Sequence, residues 1–170
     1  PAWRLRADDG QISFVDGIAG ERTGRVDDFV VVRADGVPAY QLAVVVDDAD
    51  AGVDQVTRGD DLIPSTWRQI RLHHLLGFDS PEYWHLPLVV AADGRRLAKR
   101  DGAISLRDIV SADIPVERVV AALLMSLGVE ADSIVDGDPS EPGWASAQAQ
   151  RFDPSAVGRD PVVIDDLRAA

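Results

Sequence analysis

The sequence predicts an α/β domain with a small helical appendage. Three observations carry this expectation: short β-branched and aromatic runs in the first half, two stretches of helical character further on, and Gly-, Asp- and Pro-rich turn signals between them. Strand-like and helix-like segments alternate, as in a sheet covered by helices.

Taken in order, Ile12–Val15 and Phe29–Arg33 read as strands, and Ala34-Asp35-Gly36 is a hairpin-type turn signal. Tyr40–Val46 is a nearly continuous apolar run, the pattern of a strand buried on both faces, followed by an acidic turn. Gln55–Arg58 is a further short strand ending at Arg58-Gly59. Ser65 or Thr66 is the expected N-cap of a helix through Leu76, with Gly77 as its terminator. Trp67, Ile70, His74 and Leu75 would supply its apolar stripe. Leu86–Val90 is strand-like, and Asp93-Gly94 forms a tight turn before a basic loop. Asp113 and Pro115 open the clearest helix, in which Val116, Val119, Val120, Leu123, Leu124 and Leu127 repeat at helical spacing until Gly128. Asp132 to Ser146 reads as a loop or linker, and the tail from Arg151 has little periodicity.

With 170 residues the chain is long enough for one domain or one and a half. It has no cysteine, so disulfides and thiolate metal sites are excluded within it, and a cytoplasmic location is expected. No stretch approaches the roughly 18 apolar residues of a membrane span, and the opening residues lack a signal-peptide core, so no membrane partner is expected. Without an initiator Met, the chain is expected to be a fragment or a processed form. The net charge of −12 argues against generic nucleic-acid binding. Charge is uneven, however: Asp47, Asp48, Asp50, Asp54, Asp60 and Asp61 form an acidic stretch, and Arg95, Arg96, Lys99, Arg100 and Arg107 a basic one. Lys99 is the only lysine among 17 basic residues.

Other polar groups read as structural. Asp47-Asp48 and Asp60-Asp61 are acidic turns rather than a metal site or an acid/base pair, and no metal is expected. His73 and His74 are adjacent on the predicted helix and diverge by about 100°, which suits a packed or solvated pair. His85, ahead of the strand before the basic loop, receives no role.

Two longer segments are more specific. One runs Ala39-Tyr40-Gln41-Leu42-Ala43-Val44-Val45-Val46-Asp47-Asp48, then Thr57-Arg58-Gly59-Asp60-Asp61-Leu62 and Ser65-Thr66-Trp67-Arg68-Gln69-Ile70. The other runs His85-Leu86-Pro87-Leu88, then Asp93-Gly94-Arg95-Arg96-Leu97-Ala98-Lys99-Arg100-Asp101-Gly102-Ala103. Their order and spacing resemble the glutamyl-tRNA synthetase family, closely from Phe29 to Ile109 and loosely elsewhere. Tyr40-Gln41-Leu42-Ala43 and Asp61-Leu62 resemble its glutamyl-queuosine tRNA(Asp) synthetase branch more than the full-length glutamyl enzymes.

The resemblance implies the C-terminal half of a Rossmann-like class I synthetase catalytic domain, followed by a short helical region. Residues 1–110 would belong to the catalytic domain and residues 111–170 to the helical region and tail. Arg96-Leu97-Ala98-Lys99-Arg100 corresponds to the family's KMSKS loop, which binds ATP. Lys99 takes the place of the second lysine, a catalytic group that stabilises charge on the leaving pyrophosphate. Arg96 and Ala98 depart from the motif's first lysine and serine. Tyr40 and Arg58 match the family's glutamate-binding tyrosine and arginine; a guanidinium pairs bidentately with a carboxylate, and a phenol adds a directed hydrogen bond. The other reading of these two is an ordinary strand aromatic and an arginine paired with Asp60 or Asp61.

As part of a complete enzyme, the chain would serve ATP-dependent glutamate activation and transfer to the queuosine base of tRNA(Asp). Its partners would be glutamate, ATP with Mg2+ and queuosine-bearing tRNA(Asp), and the enzyme a monomer. The family's HIGH motif, its amino-terminal glutamate-binding residues and the zinc site of some members have no counterpart in these residues. The chain alone is therefore expected to be inactive and to bind no zinc. Alternatives are a fragment of a glutamyl-tRNA synthetase charging the tRNA 3′ end, or a non-catalytic nucleotide- or RNA-binding remnant.

Overall fold

A computed structural model describes residues 1–8, 10–91, 93–96, 115–130, 134 and 141–163. The chain divides into two compact units, Pro1–Leu86 and Pro87–Ala170, and each is described by itself.

In the first unit, Trp3–Leu5 (β1) pairs antiparallel with Phe29–Val32 (β4). Gln11–Asp16 (β2) alternates exposed and covered residues, and it pairs antiparallel with Gly20–Arg25 (β3) from Gln11↔Arg25 to Asp16↔Gly20. β3 escaped the sequence reading because its inward positions are Gly20, Arg22 and Gly24, with no apolar alternation. Gly24 is required there by close approach: a Cβ would lie 2.4 Å from the Trp67 ring.

Arg33 and Gly36 close the expected turn, Arg33 N–H donating to the Val37 carbonyl at 2.8 Å and Gly36 N–H to the Arg33 carbonyl at 3.0 Å. No hairpin strand follows, only a bridge between Val32 and Pro38, since a proline has no N–H to extend the ladder. Tyr40–Ala51 (α1) is then a helix, and the expectation of a buried strand over Tyr40–Val46 is overturned. The Ala39 carbonyl accepts from the Leu42 and Ala43 N–H groups, and Gly52, at φ 67°, ends the helix. Periodicity explains the outcome: Leu42, Val44 and Val45 join the core while Asp47 and Asp50 face solvent. The weak strand preference of the valines, a few tenths of a kcal/mol each, yields to that burial.

Gln55–Gly59 (β5) leads through a 3-10 turn at Asp60–Leu62 into Ile63–Leu76 (α2), which returns the chain to Glu82–Leu86 (β6). β5 and β6 pair in parallel from Gln55↔Glu82 to Gly59↔Leu86, as a β-helix-β crossover allows. β6 also runs parallel to β2 through Asp16↔Tyr83, giving the sheet order β3-β2-β6-β5. α2 begins ahead of the expected Ser65/Thr66 cap because Pro64 fits its first turn; Gly77, at φ 74°, ends it as predicted. Its buried face is Thr66, Gln69, Ile70, Leu72 and His73, whereas His74 and Leu75 are exposed. An apolar stripe misjudges this helix because several of its buried groups are polar. The core gathers Val26, Phe29, Val45 and Leu72, with Ile12, Leu42, Trp67 and Phe78 packed against them.

In the second unit, the expected Leu86–Val90 strand is divided by Pro87: Leu86 ends β6 and only Val89–Val90 (β7) continues as a strand. β7 pairs in parallel with Val162–Val163 (β8). The predicted Asp93-Gly94 turn forms, with Ala91 and Arg95 bonded across it at 2.9 Å. Val116–Ser126 (α3) is the predicted helix; Val119 and Ala122 are buried, Leu123 is 38% exposed, and Gly128 (φ 82°) follows. Trp144–Ala149 (α4) falls partly inside the predicted linker, and Pro154–Ala156 forms a 3-10 turn. No helix among the described residues is long and apolar enough to cross a membrane.

Candidate functional site

Asp16 closes β2, while His85 and Arg58 are the penultimate residues of β6 and β5. These three strands run in parallel, so the three side chains form a row at their carboxyl ends, where open α/β sheets bind ligands. Arg58 and His85 are direct partners in the ladder.

Arg58 is half-buried. Its Nε–H donates to His85 Nε2 at 3.0 Å, and its Nη2 donates to Thr66 Oγ1 at 2.7 Å. The guanidinium also lies over the Tyr83 ring, 5.2 Å from its centre. Burial pushes the Arg58 pKa down, opposed by Tyr83, Tyr40, Asp48 and Asp16, yet an arginine keeps its charge. Among the described residues, no carboxylate forms an ion pair with Arg58. Asp60 and Asp61 therefore do not neutralise it.

Because arginine cannot accept a hydrogen bond, His85 Nε2 must offer its lone pair, and the ring proton sits on Nδ1. Nδ1–H points to Asp16 Oδ2 at 2.5 Å, and both side chains are fully buried. Burial lowers the His85 pKa, more than Asp16 raises it, so the imidazole is held neutral. For Asp16 burial acts upward, but the N–H groups of Ala19, His85 and Ile18 and the His85 ring outweigh it and hold the carboxylate ionised. Burial pushes the Tyr83 phenol up to about 12, so it stays protonated.

Tyr40, the first residue of α1, is 58% exposed and within electrostatic reach of Arg58. Its neighbour Gln41 bridges to α2, donating to Ser65 Oγ at 3.0 Å and accepting from Gln69 Nε2 at 2.9 Å. Tyr40 thus arrives on a helix rather than a strand. In the second unit, Arg96 is exposed and bridges to Val90. Leu97, Ala98, Lys99 and Arg100 lie outside the described residues, as do Arg107 and Asp113.

Sequence reasoning missed Asp16, Thr66 and Tyr83, and it left His85 unplaced. His85 lies within β6, not ahead of a strand. The available signal was spacing: Tyr83 and His85 are two apart on one face of a strand. The two-histidine motif resolves into a buried His73 and an exposed His74.

The chain matches the family described as tRNA synthetases class I (E and Q), catalytic domain, over residues 3–136. It belongs to that family of ligase-type enzymes. Among curated relatives, it is 49% identical over 165 residues to a glutamyl-Q tRNA(Asp) synthetase of Nocardia farcinica, covering 97% of this chain and 50% of the relative. A protein of the same name from Symbiobacterium thermophilum is 45% identical over 167 residues, covering 96% of this chain and 50% of that one. The chain thus spans about half the length of these relatives. In fold it resembles the glutamate-tRNA synthetase of Elizabethkingia anophelis, with a TM-score of 0.71 at 24% identity, covering 95% of this chain and 36% of that structure.

Proposed function

We propose that this chain forms part of an enzyme that activates glutamate with ATP and transfers it to the queuosine base of tRNA(Asp). The observation that carries the reading is Arg58: a half-buried guanidinium, fixed by two neutral partners, with no carboxylate paired to it among the described residues. Such a group is suited to a substrate carboxylate, with Tyr40 adding a phenol at the rim.

In the activation step, an oxygen of glutamate's α-carboxylate attacks the α-phosphorus of ATP. The bond to the β-phosphate breaks, and pyrophosphate leaves with the developing negative charge. Lys99, within the basic stretch of sequence from Arg96 to Arg100, is suited to stabilise that charge; Mg2+ enters with ATP as part of the substrate. In the second step, a hydroxyl of the queuosine diol attacks the acyl carbon and AMP leaves. The names of the curated relatives favour this acceptor over the tRNA 3′ end.

The test is to incubate the complete enzyme with labelled glutamate and tRNA(Asp) prepared with and without queuosine. The expected outcome is label confined to the queuosine-bearing tRNA. Label on the 3′ ribose of tRNA(Glu) would replace this reading with an ordinary glutamyl-tRNA synthetase.

A further inference from the structure

Asp16 touches none of the groups assigned to substrate, yet its geometry constrains the one that matters most. Its Oδ1 accepts three backbone N–H groups, from Ile18 at 3.0 Å, Ala19 at 2.8 Å and His85 at 3.1 Å. That leaves Oδ2 facing His85 Nδ1. An atom that accepts three N–H bonds must be an oxygen, and an atom that receives the imidazole proton must be an acceptor too. Only a carboxylate supplies both at this position.

We propose that Asp16 is a positioning residue for the carboxylate site: it holds His85 as the Nδ1–H tautomer, so that Nε2 is a fixed acceptor that aims Arg58. The proposal rests on the reading of Arg58 as the group that binds glutamate. Of the five guanidinium N–H groups, one is anchored by His85 and one by Thr66. Among the described residues the other three have no protein acceptor, and the two anchors fix the direction in which they point. If His85 carried its proton on Nε2, it would confront Arg58 Nε–H donor to donor. The bond at 3.0 Å would be lost, and Thr66 alone would no longer fix the direction of the guanidinium.

Asp16→Asn isolates this role. The three backbone donors retain the side-chain carbonyl oxygen, which leaves the amide nitrogen facing His85 Nδ1. A donor there forces the imidazole proton onto Nε2. The backbone bonds that hold the end of β2 survive, while the tautomer inverts.

Two measurements on the complete, full-length enzyme test this. With 15N-labelled histidine, wild-type His85 should show a protonated Nδ1 and an unprotonated Nε2 at neutral pH. Finding the Nε2–H form or an imidazolium there would overturn the proposal without any variant. In steady-state kinetics, Asp16→Asn should raise the glutamate KM by roughly tenfold or more, with the ATP KM little changed. His85→Gln supplies the control: its amide oxygen accepts from Arg58 whatever occupies position 16, so in that background Asp16→Asn should have little further effect. An equal penalty in both backgrounds would mean that Asp16 acts by shaping the backbone, and the proposal would fall. Arg58→Ala separates the two ideas. If it leaves the glutamate KM unchanged, the assignment of Arg58 itself is wrong. If it raises the KM while Asp16→Asn neither inverts the tautomer nor raises the KM, only the positioning role is lost.

Discussion

At the scale of single residues, the first half of the chain is organised around one guanidinium. One substitution tests what anchors Arg58, and a second tests Lys99. Thr66 is fully buried and accepts from Arg58 Nη2 at 2.7 Å. Thr66→Val keeps shape and branching but removes the acceptor, so it should destabilise the protein by about 1.5–3 kcal/mol in urea unfolding. No change in the unfolding midpoint would show that the bond contributes little. In the complete enzyme, Lys99→Ala should lower glutamate-dependent ATP–pyrophosphate exchange by roughly two orders of magnitude, the effect of one electrostatic donor worth about 3 kcal/mol. Glutamate affinity should barely move. An unchanged exchange rate would remove Lys99 from the chemistry. Arg58 and Tyr40 were singled out by the family resemblance of the motifs around them. Asp16 was not, since an acid following Val15 and preceding Gly17 looks like a solvated turn. Only the three-dimensional register reveals that it is buried against β6.

At the scale of elements, the misread segments share a cause. Strand and helix preferences are small against tertiary burial, and α1 and β3 are both decided by what they pack on. α1 reads as a strand because Val44, Val45 and Val46 are β-branched, yet Asp47 and Asp50 belong to the same helix and face outward. β3 reads as nothing because its inner face is mostly glycine, and Gly24 is what lets Trp67 of α2 lie close. Gly24→Ala places a methyl group 2.4 Å from the Trp67 ring atoms. Trp67 is itself packed against the core, so it cannot simply swing away. The expected result is a loss of about 1–3 kcal/mol in chemical denaturation, with a changed near-ultraviolet circular dichroism signal from displaced tryptophan. An unaltered spectrum and midpoint would mean that β3 and α2 are not in firm contact. The Gly77 and Gly128 stops were legible because their positive φ favours glycine, and α3 because its apolar residues repeat at helical spacing.

At the scale of the whole molecule, the sequence carries a net charge of −12 and three histidines, of which two are buried. Burial lowers the pKa of both His73 and His85 below the ordinary 6.5. Unfolding releases each to bind a proton that the folded form refuses. Stability should therefore be greatest above the unfolded value of 6.5 and fall steadily as pH drops from 7.5 to about 5.5. Self-repulsion among carboxylates acts the other way, but it is relieved mainly below about pH 5, where those groups titrate. Urea midpoints measured across this range should decline toward acid; a flat or rising profile would contradict the burial of the two imidazoles. The pairing of β2 with β6 has a consequence of its own. These strands meet through a single residue pair, Asp16↔Tyr83, reinforced by Gly17 N–H to the Tyr83 carbonyl and His85 N–H to Asp16. The hairpin is thus spliced to the crossover unit by the same carboxylate that faces His85. Opening that splice would release the imidazole at the same moment, so the solvent exchange of the Gly17 and His85 amide protons should act as a gauge of the site's readiness to receive a ligand.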